Sequence, residues 1–210
     1  VRCIHDSIVI QNKVLTQTIK VRDTIGIMIV LLLGNPGSQY ENTKHNAGWI
    51  IADEWGFEWT TNKYAEAKEA REGMLVFVKP ETYMNESGRS ALWYKKEYEL
   101  SPEDFVVVYD DVDLPIGTVR VSFNRGSGGH NGIKSIEQSL GGANFVRIRV
   151  GVAKKDEEGK AENPGVRHDF VLSSFSKQEQ ETIQSLAPKI KKIIDTITKD
   201  GVEKAMNEFN

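Results

Sequence analysis

Apolar and polar positions follow two rhythms along this chain. Ile29-Val30-Leu31-Leu32-Leu33 is an unbroken apolar run after Met28, closed by the turn Gly34-Asn35-Pro36-Gly37. Such a run predicts a strand buried on both faces. Met74 to Val78, ended by Pro80, and Phe105 to Tyr109, running into Asp110-Asp111, predict two more buried strands. Thr118 to Phe123 alternates Val119 and Val121 with Arg120 and Ser122, and Phe145 to Val152 sets Val146, Ile148 and Val150 against Arg147 and Arg149. Period two of this kind predicts half-exposed strands. Helical spacing appears from Ala47 to about Trp59 (Ile50, Ile51, Trp55), from Asn85 to Tyr98 (Ala91, Leu92, Tyr94), and over Ile133, Ile136 and Leu140. Ser176 with Glu179 has the form of a capping box, and the helix behind it carries Ile183, Leu186, Ile190, Ile193, Ile194 and Ile197. Pro188 is expected to kink that helix, and Gly201 to separate a last short helix with Val202, Met206 and Phe209. Residues 153–165 are charged and rich in Gly, Lys and Glu, and predict a mobile loop.

Strands alternating with helices predict a single α/β domain, a twisted mixed β-sheet flanked by helices. Function in open sheets collects at the carboxyl ends of the strands. Those ends are Asn35, then Lys79-Pro80 with Tyr83-Met84-Asn85, and Asp110.

With 210 residues, 39% of them hydrophobic and 27% charged, the chain is long enough for one domain with a proper core. The longest apolar stretch, Ile25 to Leu33, is far short of the ~20 residues a spanning helix needs. Lys20 and Arg22 precede it as in a secretory signal, but the turn behind it offers no small-x-small cleavage site. A single cysteine, Cys3, leaves no internal disulfide and no cysteine metal cluster, which points to a reducing, cytoplasmic setting. Residues 1–27 lack clear periodicity and are read as an extension, with the domain spanning 28–210 and Met28 as the functional start. Net charge is −3, divided into +2 for residues 1–27 and −5 for the rest. Nucleic-acid binding would therefore need a local basic patch.

Common catalytic motifs are missing. There is no Gly-x-Ser-x-Gly elbow. The loop Gly126-Ser127-Gly128-Gly129-His130-Asn131-Gly132 misses both the P-loop, because Ile133 precedes Lys134-Ser135, and the dinucleotide fingerprint. No residues stand at zinc-ligand spacing, so no metal and no cofactor is expected. Of four histidines, His5 lies in the extension, and His168 beside Asp169 reads as solvent-exposed. A lone histidine near a helix start, like His45, is more often a cap or surface residue, and the bland reading of His130 is a locally packed or hydrogen-bonded loop residue. What raises His45 is its company: Asn35, Asn85 and Asp110 stand at strand ends that can share one cleft. Imidazole is the natural general base near neutral pH, a carboxylate fixes its tautomer, and asparagine amides are neutral donors for a carbonyl or oxyanion. With no Ser, Cys or metal in the set, water is the simplest nucleophile. Arg120, Arg125, Lys134, Arg147 and Arg149 flank the glycine loop and suit phosphate. A solvated strand face explains the same charges equally well.

Five sequence blocks also carry a family resemblance. Gly34-Asn35-Pro36-Gly37 with Tyr40 and Thr43-Lys44-His45-Asn46-Ala47-Gly48 form the first. Lys79-Pro80-Glu81-Thr82-Tyr83-Met84-Asn85 with Ser87-Gly88 is the second, and Asp110-Asp111-Val112-Asp113-Leu114-Pro115-Ile116-Gly117 the third. Gly126 to Gly132 and Phe145-Val146-Arg147-Ile148-Arg149-Val150-Gly151 complete the set. In this order they resemble bacterial peptidyl-tRNA hydrolases, from Met28 to roughly Phe175. The resemblance implies a monomeric three-layer α/β sandwich that cuts the ester between a peptide and the 3′ ribose of tRNA released from stalled ribosomes. It implies His45 as the base that activates water, Asp110 as its orienter, and Asn35 and Asn131 as positioning groups. It places Asn85, Met84 and Tyr40 on the peptide side and His130 near the mouth. Arg149 matches a residue that clamps tRNA phosphate, with Arg120, Arg125 and Lys134 as further phosphate contacts on the acceptor stem and 3′ CCA end. The pattern departs at Ser122, where family members often carry a basic residue. One rival reading is an RNA-processing scaffold of the same fold, known from a plastid splicing factor, and another is a generic esterase on small substrates. The retained Asn35, His45, Asn85, Asp110 and Asn131 disfavour the first.

Overall fold

The structure, a computed structural model, describes residues 26–162 and 165–210. The expected extension lies almost wholly outside the described residues. Seven strands form one sheet: β1 (Met28–Leu32), β2 (Thr60–Asn62), β3 (Ala67–Glu72), β4 (Leu75–Pro80), β5 (Phe105–Pro115), β6 (Val119–Phe123) and β7 (Val146–Ala153). Their spatial order is β2-β3-β4-β1-β5-β7-β6. The four central strands, β4, β1, β5 and β7, are parallel, and the outer pairings are antiparallel.

The unbroken apolar runs are explained by helices on both faces. From β1, Val30 and Leu32 point into one core with α1 (Ala47–Asp53), α5 (Lys177–Gln184), α6 (Ala187–Asp200) and α7 (Val202–Phe209). Ile29, Leu31 and Leu33 point into the other, against α2 (Ser87–Glu97) and α3 (Asn131–Leu140). A six-residue helix, α4 (Arg167–Leu172), sits near the sheet's carboxyl edge. The result is a three-layer sandwich. No helix among the described residues is long and apolar enough to cross a membrane.

Several expectations are corrected. The first helix stops at Asp53, not near Trp59, because Gly56 turns the chain with φ +64°. Trp55 and Phe57 then pack their rings on Phe77 at 5.3 and 4.7 Å, and the chain continues into β2. The hairpin β2–β3 was not anticipated, since Ala67-Lys68-Glu69-Ala70-Arg71-Glu72 offers only two alanines to the sheet. Pro188 begins a new helix instead of kinking one, lying in the first turn of α6, where its missing N–H costs nothing. β5 runs on through Asp110 to Pro115, with an irregular register against β7 after Asp111. The capping box is present: Ser176 Oγ accepts from Glu179 N–H while the Glu179 carboxylate accepts from Ser176 N–H.

Gly48 fixes how α1 meets the sheet. A Cβ there would stand 2.7 Å from Leu33 O and 3.0 Å from Val108 O, both backbone atoms that cannot swing away. Gly48→Ala is therefore expected to push α1, and His45 just before it, off the strand ends. Overpacking of this kind costs ~1–3 kcal/mol, or roughly 2–4 °C of Tm per kcal/mol in a chain of this length. Calorimetry checks the shift; an unchanged Tm would mean that the helix relaxes freely.

Candidate active site

Parallel neighbours put their carboxyl ends side by side, and the candidate residues gather there. Asn35 follows β1 and is held through its backbone: its N–H donates to Asn46 Oδ1 (2.9 Å) and its carbonyl accepts from Asn46 Nδ2 (3.0 Å). Its side-chain Oδ1 accepts from Met84 N–H at 2.8 Å, which joins the ends of β1 and β4 and leaves Nδ2 as a donor. Met84 in turn lies against Gly132, where a Cβ would come within 2.5 Å of the Met84 sulfur. Asn85 is exposed beside it. Tyr40 and the exposed Tyr83 meet edge to face nearby, with centroids 6.5 Å apart.

His45 sits in a 3-10 turn, Lys44–Asn46, that leads into α1. Its neighbour Lys44 is buried, donates to Ser173 Oγ and Ser174 O, and lies over the Phe170 and Phe175 rings. That anchorage ties the turn to α4 and the segment after it. His45 Nδ1 is 2.9 and 3.0 Å from the two carboxylate oxygens of Asp110. A carboxylate only accepts, so Nδ1 carries the proton and Nε2 keeps its lone pair. On the other side, His130 Nε2 lies 3.0 Å from Asp110 Oδ1. His130 is also the N-cap of α3, its Nδ1 accepting from Ile133 N–H at 3.3 Å. Its tautomer is thereby fixed, with the proton on Nε2 directed to Asp110.

Asp110 is thus a carboxylate with 1% exposure between two imidazole donors. Burial alone would raise its pKa, but His45 and His130 hold it well below the usual carboxylate range. Burial alone would lower the His45 pKa, but the Asp110 charge and hydrogen bond outweigh it, and the net shift is upward. Tyr109, edge-on to His130 at 4.8 Å, is pushed up to about 12 by burial and by Asp111, so its hydroxyl stays protonated.

A cavity of about 280 Å³ opens on this group, walled by the glycine loop 126–131, the end of β5, and Arg167, His168 and Val171 of α4. Asn131 lines it, and so do Arg125 and Arg149. Arg149 is 8% exposed and committed to Asp111, Nε to Oδ2 at 2.6 Å. Arg120 lies on β6 and bonds Asn210 O. Lys134 is exposed on α3, outside the cavity lining. Arg147 is neither exposed nor on a solvated face: it is fully buried, donating to Gly126 O (3.0 Å) and Glu137 Oε1 (2.8 Å) and lying over Phe145. It pins the foot of the glycine loop to α3. Its Nε and the hydroxyl of its cross-strand partner Ser122 are both buried without a hydrogen-bond partner among the described residues. His168 is exposed as expected, but on α4 at the cavity.

The fold groups ligand-type atoms that sequence spacing kept apart: those of His45, Asp110 and His130 lie within 4.8 Å of one another. The trio fits a metal poorly, because His130 Nε2 bears a proton for as long as Nδ1 caps α3. Asn46 and Arg167 were not singled out from sequence as site residues, and Arg147, read there as a phosphate candidate, is instead a buried anchor. Asn46 alone had a signal, its place beside His45 in the first block.

Comparison with known proteins follows the same line. A family model described as peptidyl-tRNA hydrolase matches residues 29–210. The peptidyl-tRNA hydrolase of Brevibacillus brevis is 42% identical over 189 residues, covering 87% of this chain and 97% of that protein. That of Bacillus subtilis is 38% identical over 192 residues, covering 88% and 98%. The crystal structure of peptidyl-tRNA hydrolase from Acinetobacter baumannii superposes with a TM-score of 0.76 at 29% identity, over 88% of this chain and 94% of that one.

The raised His45 pKa gives a stability contribution that is full below 6.5 and lost as pH rises through the folded value. Asp110, depressed, contributes above 3.8 and loses its share as pH falls through its folded value. In an NMR titration His45 is expected to titrate above 6.5, and to drop in Asp110→Asn, where burial remains and the charge is gone. An unmoved titration would rule out Asp110 as the cause.

Proposed function

The chain belongs to the peptidyl-tRNA hydrolase family and hydrolyses peptidyl-tRNA, and on that premise we propose that His45 is the general base of the reaction. The observation that carries this reading is the pair His45 Nδ1–Asp110 at 2.9 Å, which leaves Nε2 as the free lone pair at the cavity. Nε2 takes a proton from water, and the water oxygen attacks the ester carbonyl. The resulting imidazolium is stabilised by Asp110, as in other carboxylate–histidine pairs. When the tetrahedral intermediate collapses, Nε2–H returns the proton to the ribose oxygen, and the products are a free ribose hydroxyl and a peptide carboxylic acid, which gives the second water proton to solvent as it ionises. Every proton is accounted for within His45 and water, and a reactive aminoacyl ester needs no metal to be cut this way.

Asn35 Nδ2 serves as the oxyanion donor in this reading, which its orientation supports, since its Oδ1 is already fixed by Met84 N–H. Donors of this kind are worth ~2.7–4 kcal/mol in a transition state. Asn85, Met84 and Tyr40 line the peptide side, and Asn131 positions the ester from the first turn of α3. His130 acts chiefly on Asp110, as its two ring bonds indicate, and less on substrate. The tRNA acceptor stem and 3′ CCA end run along the basic edge, where Arg125 and Lys134 are exposed cations and Arg149 and Arg120 add to the field. A monomer in the cytoplasm, rescuing tRNA from stalled ribosomes, suits this chemistry. The scaffold reading is not favoured, because the chain keeps a complete acid–base pair.

His45→Ala is expected to lower kcat at least 10²-fold, the usual share of a general base, with tRNA binding little changed. Asp110→Asn should retain more activity than His45→Ala and move the acid limb of the pH–rate profile downward. Cleavage of an N-acetyl-aminoacyl-tRNA with EDTA present, with unblocked aminoacyl-tRNA as control, checks both. Wild-type turnover by His45→Ala would remove the assignment, and loss of wild-type activity in EDTA would remove the metal-free mechanism.

A further inference from the structure

Three arginines line the cavity over His45, and they are not equivalent. Arg149 is locked: its pair with Asp111 has both side chains about 10% exposed, and pulling it away would strand a buried carboxylate. Arg125 is exposed on the glycine loop. Arg167, the first residue of α4, also lines the cavity and is paired with Asp113 at 2.7 Å, both side chains 52% exposed. An exposed pair of this kind holds weakly and leaves no buried charge when it opens. Both residues line the cavity, Asp113 at the end of β5.

We propose that Arg167 is a phosphate-binding residue of this site, taking the phosphate on the 5′ side of the esterified terminal nucleotide in exchange for Asp113. The proposal rests on the reading that the ester lies at His45 Nε2. With the terminal ribose there, the phosphate one sugar away reaches the rim, where the guanidiniums open to solvent are those of Arg125 and Arg167. A guanidinium suits it, because its planar fork bonds two phosphate oxygens at once. Asp113 holds that fork over the cavity until the substrate arrives.

The test compares three substrates carrying the same N-acetyl-aminoacyl ester: full tRNA, adenosine 5′-monophosphate, and adenosine without phosphate. Arg167→Gln is expected to raise KM about tenfold on the two phosphate-bearing substrates, the scale of one charge-assisted contact, with kcat within about twofold. The slope of log(kcat/KM) against log salt on tRNA should shrink by about 1. Arg167→Lys should restore most of both, and the adenosine ester should not distinguish the variants. An unchanged KM on the phosphate-bearing substrates overturns the proposal. So does an equal loss on the adenosine ester, which would mean that Arg167 only packs α4. Inability of the wild-type chain to cleave any of the three would instead remove the placement of the ester at His45.

Discussion

A carboxylate sealed from water must be answered by donors inside the protein, and Asp110 is answered by His45 on one side and His130 on the other. Almost every local feature of the site serves that requirement. β5 is flanked by β1 and β7, so Asp110 is delivered to the middle of the sheet's carboxyl edge. His45 reaches it from the turn before α1, and His130 from the N-terminus of α3. Each imidazole is held by a second constraint, Lys44 anchoring the first turn and the Ile133 N–H fixing the second ring. The same low dielectric that makes an unpaired Asp110 so costly also makes its charge effective on His45.

The two sides of the site differ in their physics. Toward β1 and β4 stand neutral donors and aromatic edges, Asn35, Asn85, Tyr40 and Tyr83. Toward β7 and α4 lies a cavity whose charges are largely paired, Arg149 with Asp111 and Arg167 with Asp113. Paired cations discriminate: a loose anion gains little from them, whereas a polyanion with the right spacing displaces the exposed carboxylate. A chain of net charge −3 can therefore bind RNA through a few residues, and its affinity should be salt-dependent.

Arg147 shows how a buried charge can set the shape of the site from beneath. Its guanidinium, fully buried, joins β7, the foot of the glycine loop and α3. The loop that carries His130 is thus set from beneath by a charge and from within by a cap.

The sequence by itself determined the layers and the strand ends. Runs without polar interruption can only be strands covered on both sides, and the parallel order then brings Asn35, Met84-Asn85 and Asp110 to one edge. Five motif blocks in order also named the family. It did not determine the β2–β3 hairpin or α4, whose few apolar side chains give no period to detect, nor the break at Pro188. Nor did it determine the state of any charge. Arg147 and Arg149 alternate with valine and isoleucine exactly as solvated residues do, yet one is wholly buried and the other bound to Asp111. His45 and Asp110 are 65 positions apart in the chain and 2.9 Å apart in space. Pairing, tautomer and pKa depend on what lies within a few ångströms and on how much water remains there, and only the tertiary structure decides either.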